Sequence, residues 1–477
     1  MKSIAACAAV LLSLISPIVV ADANVAAPSV SKVTLPSTFK PPQVFKNANL
    51  VHVISLEKNF AKEQINVVVE NDSKEPQDEY FLPFTSQQME RVGGFEVKDR
   101  KDSSLTGFVV EAVEYDPLSD TQYYRIRLPA PLPPKAQQTI GISFHYLQAL
   151  TPLPAAIEQT DKQYLVYSFS AYCPSIYTTV KQKTEVKLPG SDIPEYTKIA
   201  GSGDVKEFPQ KSGAKLTYGP FPEVPAGAVS PVKVRYEFTK PVSHVTLLER
   251  DVEVSHWGGN IAFEERYTLY NQGANLSTLF NRVKWAQSQY FNPTSYALKE
   301  MKFPLRIGST DAYFTDAIGN VLVTPVFGGW KYPFTIGWNA DAKYFLRHKT
   351  GDSYILGIPF LEGPKQPEGF GYEQVLVRVL LPEGAGNVKF HTSIPESSIT
   401  DVVVDQQKTY LDTIGRTVLT IKARNLHDDF RDRDLIVSYD YSLAASLRKP
   451  LVIFGSMMSL FVGTWLLSKV DVKLSSK

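Results

Sequence analysis

Apolar residues in this chain recur at every second position, segment after segment. A period of two is the mark of a strand with one buried face. TIGISFHY puts Ile140, Ile142, Phe144 and Tyr146 on one side, and VKVRYEF does so with Val232, Val234, Tyr236 and Phe238. LIVSYDYSL repeats the pattern with Leu435, Val437, Tyr439 and Tyr441. DVEVSHWGGNIAFEERYTLY reads as a hairpin turning through Trp257-Gly258-Gly259-Asn260. The 33 prolines fall largely between such segments, where a missing N–H breaks no ladder. Residues 276–300 read as partly helical, with an interruption at Pro293. The fold class is mainly β, and sandwich-like.

Two apolar runs bracket these strands. MKSIAACAAVLLSLISPIVVADA, residues 1–23, has the cationic start, apolar centre and small-residue exit of a secretory signal peptide, cleaved after Ala21 or Ala23. Residues 451–467 are apolar throughout. As a helix they span about 25 Å, at the short end for a membrane crossing and suited to the thin bilayer of the endoplasmic reticulum. Pro450 suits the first turn, where no N–H partner is needed. The expected layout is a single-pass type I membrane protein. Its parts are a lumenal β domain over 28–240, a second over 241–442, a transmembrane helix over 450–467 and a cytosolic tail over 468–477. The boundary near Pro241 rests on a faint internal echo: HVISLEKNF begins at His52 and HVTLLERDV at His244, each leading to a turn with an asparagine, Asn71 or Asn271.

Charge excludes one class of function. The 50 basic and 49 acidic side chains leave a net charge of +1, and no basic stripe interleaved with aromatics marks a nucleic-acid binder. Of two cysteines, Cys7 leaves with the signal peptide, so Cys173 has no intrachain partner and reads as a small buried hydrophobe. HDDFRDRD, residues 427–434, contains the Asp432-Arg433-Asp434 pattern of some glycosyltransferases. The interleaved Arg431 and Arg433 make it a salt-bridged turn instead. Asp311 and Asp316 could pair as acid and base, but Asp316 to Asn320 reads better as a turn with Gly319 at positive φ. No catalytic, cofactor or metal motif assembles.

Two sequons are usable, Asn71-Asp72-Ser73 and Asn275-Leu276-Ser277, while Pro293 disqualifies Asn292. In the membrane run Gly455, Ser459 and Gly463 recur every four residues, a stripe of small side chains that lets another helix approach closely. Ser475 stands where a dilysine retrieval signal has lysine, so residence in the endoplasmic reticulum is expected to depend on partners.

EVSHWGGNIAFEERYTLYNQGA (253–274), DAYFTDAIGNV (311–321), FGGWKYPFTIGWN (327–339), LPEGAGNV (381–388) and YLDTIGR (410–416) resemble the ribophorin I family. YLVYSFSAYCPSIYTTVKQKTEVKLP and YGPFPEVPA agree more loosely, and the resemblance covers most of residues 50–467. It implies the large lumenal accessory subunit of the oligosaccharyltransferase complex, which transfers oligosaccharide from dolichyl diphosphate to Asn-X-Ser/Thr of nascent chains. The implied partners are a multi-spanning catalytic subunit, smaller membrane subunits and nascent polypeptides, with catalysis in the other subunit and no cofactor here. The catalytic subunit's Trp-Trp-Asp-Tyr-Gly signature is missing, since none of the five tryptophans are adjacent. Many relatives continue into a cytosolic domain linked to ribosome contact, whereas this chain runs ten residues past Leu467. A cell-surface adhesion or carbohydrate-binding receptor is the competing reading of the same topology, and a tethered hydrolase using Asp311 and Asp316, or Asp432 and Asp434, a third.

Overall fold

The computed structural model describes residues 32–469, apart from 37, 102–106, 115–117, 202–206, 291–293, 318, 320–324 and 409–411. The segment read as a signal peptide, residues 1–23, the tail beyond residue 469 and Asn292-Pro293 lie outside the described residues. Strands carry the period-two pattern into three dimensions. Along Ala61–Asn71 and Asn260–Asn271 buried and less buried positions alternate without a break, as they must where one face packs and the other meets water.

The N-terminal half has a seven-stranded sheet in the order Gln210–Ser212, Lys215–Val224, Thr179–Lys187, Phe45–Ser55, Ala61–Asn71, Gln137–Tyr146, Val92–Asp99. A smaller sheet, Glu195–Tyr196, Pro231–Glu237, Tyr164–Ser170, Thr151–Pro152, shares its core. The C-terminal half repeats both orders. Its large sheet runs Ile399–Gln407, Arg416–His427, Gly371–Glu383, Ser243–Ser255, Asn260–Asn271, Lys331–Asp341, Ser309–Asp316. Its small sheet runs Gly386–Thr392, Asp434–Asp440, Ser353–Pro359, Leu346–His348. In each large sheet one pairing is parallel, between the first strand and the one that follows the small sheet's entry, and the rest are antiparallel. Even the β-bulge recurs, after Asn47 and after Val245.

Register aligns the repeats. Phe45 pairs with Asn71, and Ser243 with Asn271, so the asparagines of the sequence echo do correspond. The histidines do not: counting back from the bulge, Lys46 matches His244, and counting forward, His52 matches Arg250. The offset is 198 (245 − 47), not 192 (244 − 52). A further four-stranded sheet, Lys32–Thr34, Val109–Glu114, Thr121–Leu132, Gln77–Thr85, belongs to the N-terminal half.

Both asparagines are fully buried and do the same work. Asn71 Nδ2 donates to the carbonyls of Glu75 (2.8 Å) and Leu132 (2.7 Å), and Asn271 Nδ2 to those of Tyr296 (3.0 Å) and Val326 (2.9 Å). Each Oδ1 accepts an N–H two residues on, from Ser73 or Gly273. Each thereby satisfies backbone groups that a buried loop would otherwise leave unpaired.

The halves meet along Val92–Asp99 and the end of Arg416–His427. Asn425 donates to the carbonyls of Glu90 (2.7 Å) and Val92 (3.0 Å), and buried Arg424 reaches those of Met89 and Glu90, each at 3.3 Å. The rings of His145 and His427 meet edge to face at 4.2 Å, bounded by Phe60 and Phe430. Gly94 has φ +56°, and a Cβ there would lie 2.6 Å from the Phe430 ring. Only glycine admits both that conformation and that approach.

Candidate functional site

The helix Arg448–Lys469 and the preceding turn Leu443–Ser446 form a segment long and apolar enough to cross a membrane. The helix begins two residues before Pro450, and its 22 residues rise about 33 Å, more than the apolar run alone. Gly455, Ser459 and Gly463 are placed on it as the spacing requires. Nothing lies within 4 Å of a Cβ added at Gly455 or Gly463. The Ser459 hydroxyl donates to the Gly455 carbonyl at 2.7 Å, so it makes no polar demand on a neighbour.

Side chains tie the helix to the folded region. Trp257, in the hairpin turn, donates its indole N–H to the Ser446 carbonyl at 3.0 Å. Lys449 pairs with Asp412 and lies 3.7 Å from Glu383. Burial pushes the Glu383 carboxyl up, but the Thr413 hydroxyl and N–H, the Ile414 N–H and Lys449 outweigh it and hold it below the ordinary glutamate range. A hollow of about 320 Å3 between His256, Trp257, Arg416, Tyr441 and Lys449 sits at this junction.

The two sequons fare differently. Both Nδ2 hydrogens of Asn71 serve carbonyl oxygens, and the Ser73 hydroxyl donates to Asn71 Oδ1 at 2.7 Å. Oligosaccharide is joined at Nδ2, and in the folded chain both Nδ2 hydrogens of Asn71 are taken. The sequence hid this because Leu132 is 61 residues away. Asn275 and Ser277 are both exposed beside a short bridge to residues 156–157.

The carboxylates considered for chemistry are engaged elsewhere. Asp311 accepts from Thr310 and Asn339, while Asp316 accepts from the Gly319 N–H (3.0 Å) and the Tyr332 hydroxyl (3.1 Å), closing a turn with Gly319 at φ +122°. His427, Asp428 and Asp429 come close enough together to suggest a metal centre. Lys58 bonds both aspartates, at 3.1 and 2.7 Å, and Lys62 bonds Asp429 at 2.7 Å. His427 Nδ1 already accepts the Asp429 N–H at 3.1 Å, leaving it no lone pair for an ion. Arg306 holds Asp432 at 3.1 Å, and Arg433 holds Glu96 at 2.8 Å, while the Asp434 N–H and carbonyl bond Ser393 and Thr392 in the smaller sheet. The segment is the joint between halves, salt-bridged as its composition suggests but to partners as far as 371 residues away. Cys173 is buried, and burial raises its thiol well above the ordinary value, which makes it a poor nucleophile.

The sequence profile of the ribophorin I family matches residues 45–468. The Caenorhabditis elegans protein named dolichyl-diphosphooligosaccharide–protein glycosyltransferase subunit 1 is 32% identical over 375 residues, which are 75% of this chain and 61% of the nematode protein. The Schizosaccharomyces pombe protein of the same name is 28% identical over 446 residues, 89% of this chain and 95% of its own. Subunit 1B of Arabidopsis thaliana is 25% identical over 472 residues, 92% of this chain and 96% of its own. The chain thus spans about three-fifths of the nematode relative and nearly all of the other two. Among solved structures, native leukotriene A4 hydrolase from Saccharomyces cerevisiae covers 42% of this chain and 30% of its own at 11% identity and a TM-score of 0.29, too slight a likeness to bear on function. With a match that runs from the first long strand to the end of the membrane helix, the chain belongs to the ribophorin I family.

Proposed function

We propose that this chain is a non-catalytic subunit of the oligosaccharyltransferase complex of the endoplasmic reticulum, supporting N-linked glycosylation of nascent proteins. The family match over residues 45–468, with relatives named as subunit 1 of that transferase, carries the reading. The engagement of Asp311, Asp316, His427, Asp428 and Asp429 in turns and ion pairs supports catalysis in another subunit. The β domains, 28–240 and 241–442, are lumenal, the helix crosses once, and residues 468–477 are cytosolic. A multi-spanning catalytic subunit and smaller membrane subunits are the partners. Purification in mild detergent should bring down the catalytic subunit. A chain that runs alone, at the size of a monomer with its micelle, overturns the assignment.

The small-residue stripe is the docking face for those partners. Leucine at both Gly455 and Gly463 puts branched side chains where a neighbouring backbone comes close. Gly455→Leu with Gly463→Leu should leave membrane insertion intact and lower recovery of the complex several-fold; full recovery would remove the stripe from the interface.

Asn275 carries the glycan. Asn275→Gln should raise gel mobility by one oligosaccharide, and the glycan on the wild type should be sensitive to endoglycosidase H. Ser73→Ala, which destroys the other sequon while sparing Asn71, should leave mobility unchanged.

A further inference from the structure

A cleft of about 520 Å3 opens in the N-terminal half, walled by Phe84, Tyr123, Phe144, Tyr146, Tyr167 and Phe169. His52 and Glu63 lie at its base. His52 Nε2 and the Glu63 carboxylate are 2.9 Å apart, the Tyr167 hydroxyl donates to the same carboxylate at 2.6 Å, and His52 Nδ1 is buried with no partner.

The repeat gives a contrast. His52 and Arg250 each stand five residues past the matching bulge (52 − 47 and 250 − 245). In the C-terminal half that position is filled from within. Arg250 is fully buried, pairs with Glu265 and Glu362, and lies over the stacked rings of Phe263 and Trp338. The N-terminal copy has the smaller histidine there and leaves space.

One wall of this space is the strand Tyr164–Ser170. Its Tyr164 carbonyl accepts the Leu153 N–H at 2.9 Å, on the side taken by Thr151–Pro152. Gln163 and Ala171 bond to the opposite side, through Phe238 and Ser230. Main-chain groups alternate sides along a strand, so those of Ser168 and Ser170 face the same way as Tyr164. Past Val166 no strand among the described residues pairs there. The facing wall, Leu82 to Thr85, is also the edge of its sheet but is closed to a newcomer. Pro83 has no N–H, the Thr85 N–H bonds Gln88, and the Phe81 N–H bonds the Tyr177 hydroxyl.

We propose that this cleft takes an extended polypeptide segment, which adds as a strand to the edge at Ser168 and Ser170 and lodges alternate apolar side chains among the aromatic rings. A peptide backbone is the partner whose donors and acceptors recur with the period of that edge. A prenyl chain would leave those groups unmet, and the hydroxyls of a sugar do not share their spacing. Capture of peptide here is separate from membership of the complex, which the helix governs.

The test uses the full chain, solubilised in mild detergent with its partners. The probe is a fluorescein-labelled peptide of alternating valine and threonine, flanked by lysines and free of any sequon. Its twin is N-methylated at every second amide, on the side that would meet the edge. Anisotropy should show the plain peptide binding and the methylated one weaker by roughly tenfold or more, since each methyl removes a donor the edge carbonyls would otherwise meet. Ala228→Trp, which fills the rim, and Ser168→Pro, which removes an edge N–H, should each weaken binding comparably. Recovery of both variants with the complex certifies that they fold. Equal binding of the two peptides, unchanged binding by both variants, or displacement by a high-mannose oligosaccharide or a prenyl phosphate overturns the proposal. Loss of the wild-type chain from the complex would instead strike at its assignment as a subunit.

Discussion

Replacing Arg250 with methionine should destabilise the C-terminal half by about 3–5 kcal/mol, because it strands two carboxylates in the core. Glu265 is fully buried and Glu362 nearly so, and both aim at the guanidinium, Glu362 at 2.8 Å. The Tyr267 hydroxyl also donates to Glu265, and Arg306 lies 3.3 Å from Glu362. Burial, with a smaller push from the Glu362 carboxylate, raises the Glu265 carboxyl, and Arg250 is the chief opposing influence. Removing the cation therefore leaves an acid that must take up a proton or unfold its surroundings. The loss is readable in urea titrations followed by tryptophan fluorescence, since Trp338 stacks on Phe263 at 5.2 Å beside the guanidinium. Adding Glu265→Gln and Glu362→Gln to Arg250→Met should restore much of the loss. If the single variant melts with the wild type, the buried pair is not holding this half.

Acid should open the joint between the halves. His427 Nδ1 accepts the Asp429 N–H at 3.1 Å, so that ring is neutral, while His145 Nε2 donates to the Asn425 carbonyl at 2.8 Å and its Nδ1 is buried with no acceptor for a second proton. Burial lowers His145 to about 3, and burial with the nearby His145, Lys62 and Lys58 lowers His427 well below the ordinary histidine range. Both folded values are depressed, so the unfolded chain binds protons that the folded chain refuses. Their stabilisation is present above about pH 6.5 and falls away as pH drops below it. From pH 7 to pH 5 the loss is about 2 kcal/mol per ring, about 4 kcal/mol for the pair. The carboxylates at the joint, Asp428 and Asp429, have ordinary values near 4. Burial moves Asp428 up, whereas Lys58 and Lys62 outweigh burial to move Asp429 down. His427→Phe should remove about half of the pH dependence of the urea midpoint. Equal midpoints at pH 7 and pH 5 in the wild type would mean that the rings are not buried neutral.

Much of this fold could be read along the chain because its rules are local. Alternating apolar residues located Gln137–Tyr146, Pro231–Glu237 and Asp434–Asp440, and Gly258-Gly259 placed the hairpin after Ser255. The helical reading near 276–300 condensed to Arg282–Gln289, capped by the Asn281 side chain. Partnerships over long separations were not legible. Asn71 read as a surface acceptor, because nothing near it in sequence reveals the Leu132 carbonyl. The echo between halves was real, but aligning His52 with His244 put it six residues out (198 − 192). The shared bulge sets the frame, and a bulge is a pairing defect that one strand alone does not display. The residues 427–434 showed their charges but not Lys58, Lys62 or Glu96, the partners that make them a joint.

The parallel pairing at the centre of each half also sets an order of assembly. Phe45–Ser55 waits for Thr179–Lys187, and Ser243–Ser255 waits for Gly371–Glu383, so neither sheet can close as its first hairpin is made. During synthesis from the N-terminus the earlier unit can mature while the later one is still lengthening. The last strand to arrive, Asp434–Asp440, ends eight residues before the helix at Arg448 (448 − 440). The final act of folding is therefore tethered close to the apolar helix, where a chain slow to close would expose its unpaired edges.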